Sequence, residues 1–369
     1  MMNFGDVLDL PLIWGGLIAL AVFVYVLLDG FDLGCGILFP FAGSDKNRSR
    51  IMNSIAPFWD GNETWLVLGG GGLFAAFPAA YGIIMTGLYL PVTFMLFGLI
   101  LRGVAFEFRF KAEQRRYIWD VCFHIGSVVA AFMQGVMLAA LVQGLEVKDR
   151  LFAGGQFDWL TPFAFVCGIA MIIGYALLGA TWLIIKSEDK LQNWARKVAY
   201  RMLIALMVAM AVVTVSMFFL GVEATTHWFE LPTLPYLAPI PLIAIALFYF
   251  MRKDLHGEHE YRPFLLTILL FLMGYIGICS AVFPYIVPYA MTMHEAAAAD
   301  TSLSFMLIGA AIMLPIIDGI STVSSSSMRS STIICAFVIV PVLSRHNVST
   351  LASASIQFSS CTRTFFLDR

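Results

Sequence analysis

The chain has 369 residues, of which 60% are apolar and 12% charged, with a formal net charge of −2. No water-soluble domain of this size needs so much apolar material for its core, so lipid is the solvent for most of the chain. The short polar segments leave no room for a soluble catalytic domain, and nothing in them marks a nucleic-acid partner.

A bilayer core about 30 Å thick takes roughly 20 residues of helix, and helices satisfy their own backbone hydrogen bonds in lipid. Apolar stretches of that length predict an all-α polytopic membrane protein with about nine crossings, at 10–37, 52–76, 79–104, 118–144, 161–186, 201–221, 234–251, 264–289 and 303–319. Residues 1–320 form the membrane domain in this reading. Met1 to Asp9 carry Asp6 and Asp9 but no Lys or Arg, which does not fit a cleavable signal peptide, so the first helix is expected to persist.

The connections after the first, third, fifth and seventh spans hold Lys46, Arg48 and Arg50; Arg109, Lys111, Arg115 and Arg116; Lys186, Lys190, Arg196, Lys197 and Arg201; and Arg252, Lys253 and Arg262. The second, sixth and eighth connections hold no Lys or Arg, and the fourth holds Lys148 and Arg150. Basic loops stay cytoplasmic, which places the N-terminus outside, in the periplasm. Trp119, Trp159, Trp228 and Tyr236 fall where headgroup-level aromatic anchors are expected.

In chain order, the first polar residues at membrane depth are Asp29 and Asp32, in LLDGFDLGCG. Three residues apart, they share a helix face near the cytoplasmic end of the first span. They are either proton-handling groups turned to the protein interior or solvated helix-end caps. The second span, SIAPFWDGNETWLVLGGGG, is interrupted by Pro57 and Gly61 and holds Asp60, Asn62 and Glu63, so it must face protein, cofactor or water. Asp60 and Glu63 repeat the i, i+3 geometry beside Trp59 and Trp65, and apolar walls of that kind favour proton uptake by a carboxyl. The other reading keeps Asp60 ionised against Arg102, the one basic residue inside the third span. The run Gly69 to Gly72 predicts close helix packing. Glu107 reads as a solvated helix-end residue.

Of six histidines only His124 lies in a span, so this chain alone does not supply the axial pairs that several haems need, and His124 reads as a packing histidine. The six cysteines show neither CxxC nor regular spacing, which points to unpaired thiols rather than a metal site. No catalytic residue and no metal ligand set is expected in the chain. From residue 321 to 369 Ser and Thr dominate and helix periodicity disappears, so this atypical tail is either a disordered extension or the product of a shifted reading frame.

DGFDLGCGIL (Asp29–Leu38), NSIAPFWDGNETWL (Asn53–Leu66), LFAAFP (Leu73–Pro78) and LRGVAFEFR (Leu101–Arg109) resemble subunit II of the cytochrome bd quinol oxidases, including the cyanide-insensitive branch. Further likeness lies at GATWL (Gly179–Leu183) and AVFPYIVP (Ala281–Pro288). The resemblance implies a bacterial inner-membrane complex that oxidises quinol and reduces dioxygen to water. It also implies a partner, subunit I, that binds the haems (b and b or d), with a small single-helix subunit, quinone and membrane lipid as further associates. Carried over by motif, Asp29 and Asp60 would serve the proton path, and Trp59, Asp60 and Arg102 would support haem retention. Asp32 and Glu63 are lesser polar candidates. The chain departs from the family pattern after Pro315, at IIDGISTVSSSS. A proton-coupled secondary transporter is the competing reading, because broken helices and intramembrane carboxylates suit it too. It predicts transport by the isolated chain, whereas the oxidase reading predicts co-purification with a haem protein.

Overall fold

The computed structural model describes residues 8–112, 114–220, 238–257 and 259–324. The chain divides into two units, Met1–Met306 and Leu307–Arg369. Trp228, Tyr236 and the Ser-rich tail beyond residue 324 lie outside the described residues.

The described residues are almost wholly helical. Helix α1 (Leu10–Leu38) starts at Asp9, whose carboxylate accepts from the Leu12 N–H, and runs into a 3-10 turn at Phe39–Ala42. Then come α2 (Asp45–Ile55), α3 (Trp59–Ala76), α4 (Pro78–Gly87), α5 (Tyr89–Lys111) and α6 (Arg116–Gln143). Two short strands, β1 (Val147–Lys148) and β2 (Leu151–Phe152), precede α7 (Pro162–Lys186) and α8 (Asp189–Leu220). After α9 (Pro239–His256) and α10 (Arg262–Val282), strands β3 (Tyr285–Val287) and β4 (Met291–Thr292) lead through a turn of helix, α11 (Met293–Ala296), to α12 (Asp300–Ser324). Each strand pair is a two-stranded antiparallel ladder.

All nine predicted spans fall on helix, but several boundaries move. The second breaks at 56–58, around Pro57, into α2 and α3, whereas Gly61 sits inside α3 and breaks nothing. The third breaks at Leu88. Pro91, in the first turn of α5, has no N–H to offer the Gly87 carbonyl, so the ladder of α4 cannot continue through it. The eighth stops at Val282, ahead of Pro284 and Pro288, and the residues predicted as its last turn form β3 instead. The sixth extends back to Asp189, so Lys190, Arg196 and Lys197 lie on a helix rather than in a loop. Among the described residues, six helices are long and apolar enough to cross a bilayer unaided: α1, α5, α6, α7, α8 and α10.

Helix α1 is the axis of the packing, with every residue from Leu27 to Leu38 buried against α3, α6 and α7. The approach of α1 to α7 is backbone to backbone. A Cβ on Gly34 would stand 1.9 Å from the Tyr175 carbonyl oxygen, and one on Gly179 would stand 2.4 Å from the Gly34 carbonyl carbon. Helices α5 and α6 meet in the same way, through Gly98 and Gly126. Small residues do this in membranes because dispersion and interhelical polar contacts, rather than water exclusion, hold the helices together.

Contacts between connections respect the sidedness read from the basic loops. At one end, Asp9 meets His294 at 3.1 Å, Arg150 donates to the Glu295 carbonyl, and the Ala298 N–H donates to the Ala76 carbonyl. All four of those segments were assigned outside. At the other end, Arg109, 1% exposed, pairs with Asp45 and Asp120, while Arg48 pairs with Asp120 and Arg116 with Asp45. These come from the first and third basic connections and the helices that flank them. Trp159 is buried, its indole N–H bonded to the Gln156 carbonyl, so it locks the outer loop instead of facing headgroups.

Candidate functional site

The polar residues of α1, α3 and α5 converge on one buried cluster. Asp29 and Asp32 occupy the part of α1 that is covered on all sides, so both leave solvent entirely, at 1% and 0% exposure. The solvated-cap alternative therefore does not hold for either. Arg102, also 1% exposed, reaches Asp29 from α5. A Cβ on Gly126 would stand 2.9 Å from the Arg102 backbone nitrogen, so the missing side chain brings α5 close enough to α6 for the guanidinium to extend to α1.

The guanidinium holds two carboxylates on separate nitrogens. Its Nη1 lies 2.9 Å from Asp29 Oδ1 and its Nη2 lies 2.7 Å from Glu63 Oε1. Beside them, Asn62 Nδ2 donates to Asp32 Oδ2 at 2.7 Å and to the Leu28 carbonyl at 3.3 Å. Glu63 is the exposed edge of the cluster, its side chain 31% accessible. Three carboxyls thus share the cluster with one guanidinium, which pairs with two of them. If all were ionised the group would carry two uncompensated negative charges in a low-dielectric surround, which is strongly unfavourable.

Asp60 and Trp59 lie apart from this centre. Asp60 is exposed in the first turn of α3, and among the described residues Arg102 pairs with Asp29 and Glu63, not with Asp60. The i, i+3 spacing of Asp60 and Glu63 does not make them a pair facing one partner, because only Glu63 turns toward Arg102. Trp59 stacks on Phe106 with ring centroids 5.1 Å apart and rests against Gly103. The α3 surface beyond it is largely bare: its buried residues are Asn62, Gly69 and Ala76, one narrow stripe toward α1. The glycine run divides accordingly. Gly69 and Gly72 take Val22 and Ile18 of α1, while Gly70 and Gly71 have nothing within 4 Å.

His124 sits with its Nδ1 3.2 Å from the Gly36 carbonyl oxygen, a packing histidine in contact with α1. Glu107 is exposed and pairs with Lys111 across one helical turn. Among the described residues Cys35, Cys122, Cys167 and Cys279 are unpaired thiols, Cys35 buried and Cys279 exposed.

A sequence profile described as "Cytochrome bd terminal oxidase subunit II" matches residues 10–328. The chain belongs to the cytochrome bd terminal oxidase subunit II family. It is 30% identical over 320 residues to the cytochrome bd ubiquinol oxidase subunit 2 of Bacillus subtilis, covering 83% of this chain and 92% of that one. Identity to the Escherichia coli K12 cytochrome bd-I ubiquinol oxidase subunit 2 is 28% over 346 residues, 84% of this chain and 91% of the relative. A probable cytochrome oxidase subunit 2 from Haemophilus influenzae is 36% identical over 198 residues, and the match spans about half of each protein, 52%. The structure of a bd oxidase from Geobacillus thermodenitrificans has the same fold, with a TM-score of 0.71 at 14% identity over 87% of this chain and 99% of that one. The chain is thus a membrane subunit of a bd-type oxidase, an oxidoreductase complex.

The sequence marks Asn62 only as a polar residue at membrane depth and does not single out Tyr25, Gln134 or Tyr175. Gln134 did carry a signal, an amide in the middle of an apolar helix. Tyr25 and Tyr175 carried none, since a tyrosine among apolar residues looks like core.

Proposed function

We propose that this chain serves a quinol:dioxygen oxidoreductase of the bacterial inner membrane as the subunit that carries protons toward a haem-bearing subunit I. The observation that carries the reading is the excess of carboxyl over guanidinium at Asp29, Asp32, Glu63 and Arg102, two of the acids being fully buried. A buried carboxyl needs a reason to persist in lipid, and exchange of protons with the cytoplasm supplies one. In the orientation given by the basic loops, the cluster opens through Glu63 on the α3 surface, and Asp29 and Asp32 stand behind it.

Haem, when bound in the partner, supplies the dioxygen chemistry. This chain's contribution is to hold protons at the Asp29, Asp32 and Glu63 carboxyl oxygens and to fix Asp29 and Glu63 in place through Arg102. The uncovered α3 face with Trp59 and Asp60 suits contact with subunit I, where the Trp59 ring would exclude water and Asp60 would offer a carboxylate. That contact is how these two residues would support haem retention. Quinone, lipid and a small single-helix subunit are further associates in this proposal.

The experiment is Asp29→Asn in a complex co-expressed with its partner. Quinol-driven oxygen consumption is expected to fall at least tenfold with haem content retained, since Asn keeps the shape and cannot carry the proton. Full turnover with full haem would overturn the proposal, and proton-coupled solute uptake by the isolated chain would favour a transporter.

A further inference from the structure

A second buried polar group lies one turn of α1 from the acidic cluster. Gln134 of α6 donates from Nε2 to the Tyr25 hydroxyl of α1 at 2.9 Å, and the Tyr175 hydroxyl of α7 donates to Gln134 Oε1 at 2.5 Å. All three side chains are buried. Room for the Tyr175 ring comes from Gly30, where a Cβ would stand 2.8 Å from Tyr175 Cε1. Tyr25 lies four residues before Asp29 on the same face of α1. Both side chains are buried, and among the described residues the Asp29 oxygens accept no hydrogen bond beyond the Arg102 ion pair, so the carboxylate one turn away is open to a donor.

Counting donors and acceptors gives the group a direction. A carboxamide has a donor end and an acceptor end, and its orientation follows from what surrounds it. With the amide as it stands, Tyr175 donates to Oε1, the amide donates to the Tyr25 oxygen, and the Tyr25 proton is left to turn toward Asp29. This orientation uses the amide oxygen and the Tyr175 proton and leaves the Tyr25 proton free for the open Asp29 carboxylate, where an unmade bond is costly.

We propose that Gln134 and Tyr175 are positioning residues that hold Tyr25 as the hydrogen-bond donor to Asp29. Tyr175 orients the amide, the amide orients the phenol, and the phenol faces the carboxyl that Arg102 grips from the other side. The remaining titratable groups facing Asp29 are Glu63 from α3 and Asp32 on α1 itself; α6 and α7 contribute Gln134 and Tyr175. A glutamine does not hand a proton on, so the triad is a brace for the carrier rather than a second path. The inference rests on Asp29 as a proton carrier.

The test uses the co-expressed complex with Tyr25→Phe, Gln134→Leu and Tyr175→Phe. Each is expected to lower kcat for quinol oxidation about tenfold, the worth of one hydrogen bond to a charged group. KM and haem content should be unchanged, and the pH profile of turnover should move by about one unit in the same direction in all three. Adding Tyr25→Phe to either other variant should bring no further loss. Tyr175→Phe removes one oxygen and keeps the ring, so it answers the question even if Gln134→Leu fails to assemble. An unmoved pH profile in Tyr175→Phe, or losses that multiply with Tyr25→Phe, would overturn the positioning role and leave the triad as packing. A fully active Asp29→Asn complex is a different failure, since it removes the proton role of Asp29 whatever the triad variants do.

Discussion

Replacing Gly34 by alanine tests whether the acidic cluster depends on the backbone approach of α1 to α7. The new Cβ would stand 1.9 Å from the Tyr175 carbonyl oxygen and 2.7 Å from the Gly179 nitrogen, both backbone atoms that no rotamer change can move. Bringing the first contact out to 3.0 Å requires the helices to part by about 1.1 Å, the difference between the two distances. Asp29 and Asp32 lie within five residues of Gly34 on the helix that must move. Their bonds to Arg102 at 2.9 Å and Asn62 at 2.7 Å do not survive a displacement of that size. Overpacking and the strained ion pair together predict a loss of about 3 kcal/mol. The assay is thermal unfolding of the purified complex, followed by tryptophan fluorescence and haem absorbance, with Gly16→Ala as the reference because nothing lies within 4 Å of a Cβ there. Gly16→Ala should stay within about 0.5 kcal/mol of the parent. A Gly34→Ala complex that melts with the parent would refute the reasoning, since the two helices would then have slack that the backbone contact denies.

Arg102→Gln leaves two carboxylates without their cation, and about 3–5 kcal/mol of stability should be lost, visible as reduced yield of assembled complex in membranes. Arg102→Lys is expected to recover only part of it, because one ammonium cannot reproduce two bonds from separate nitrogens. Asp60→Asn, at an exposed carboxylate, should leave the melting temperature within the error of the parent while lowering haem content or turnover. Unchanged turnover with full haem occupancy would count against the role assigned to it. On the outer side, the Thr292 N–H and hydroxyl, with Arg150 nearby, hold the Glu295 carboxyl below its ordinary value. A depressed carboxyl contributes stability that is present above its unfolded value and lost as pH falls through the lowered folded one. Amide exchange over Met293–Ala296 should therefore accelerate only below about pH 4, and acceleration already at pH 6 would show that the cap does not depend on this carboxylate.

The amino-acid sequence alone determined what the bilayer dictates. Apolar run length placed a helix on every predicted span, and segregated basic residues sorted the connections into two sets that the contacts keep together. The motifs around Asp29, Trp59 and Arg102 carried the family. Partner choice within the site was settled by the tertiary structure. Spacing placed Asp60 and Glu63 on one face and offered Arg102 to Asp60, but the rotation of α3 against α1 turned Glu63 inward and left Asp60 exposed. That rotation follows from which residues of α3 can lie against α1, namely Asn62, Gly69 and Ala76, and periodicity in a helix that is apolar nearly all round does not reveal it. The breaks at 56–58 and Leu88 were half legible, since the prolines are visible and the turn each one forces is not. The brace of Tyr25, Gln134 and Tyr175 joins three helices through two hydrogen bonds, each between residues more than forty positions apart. Glycines at α1–α7 and α5–α6 close those distances, so the polar groups that meet there were decided by where backbones could touch.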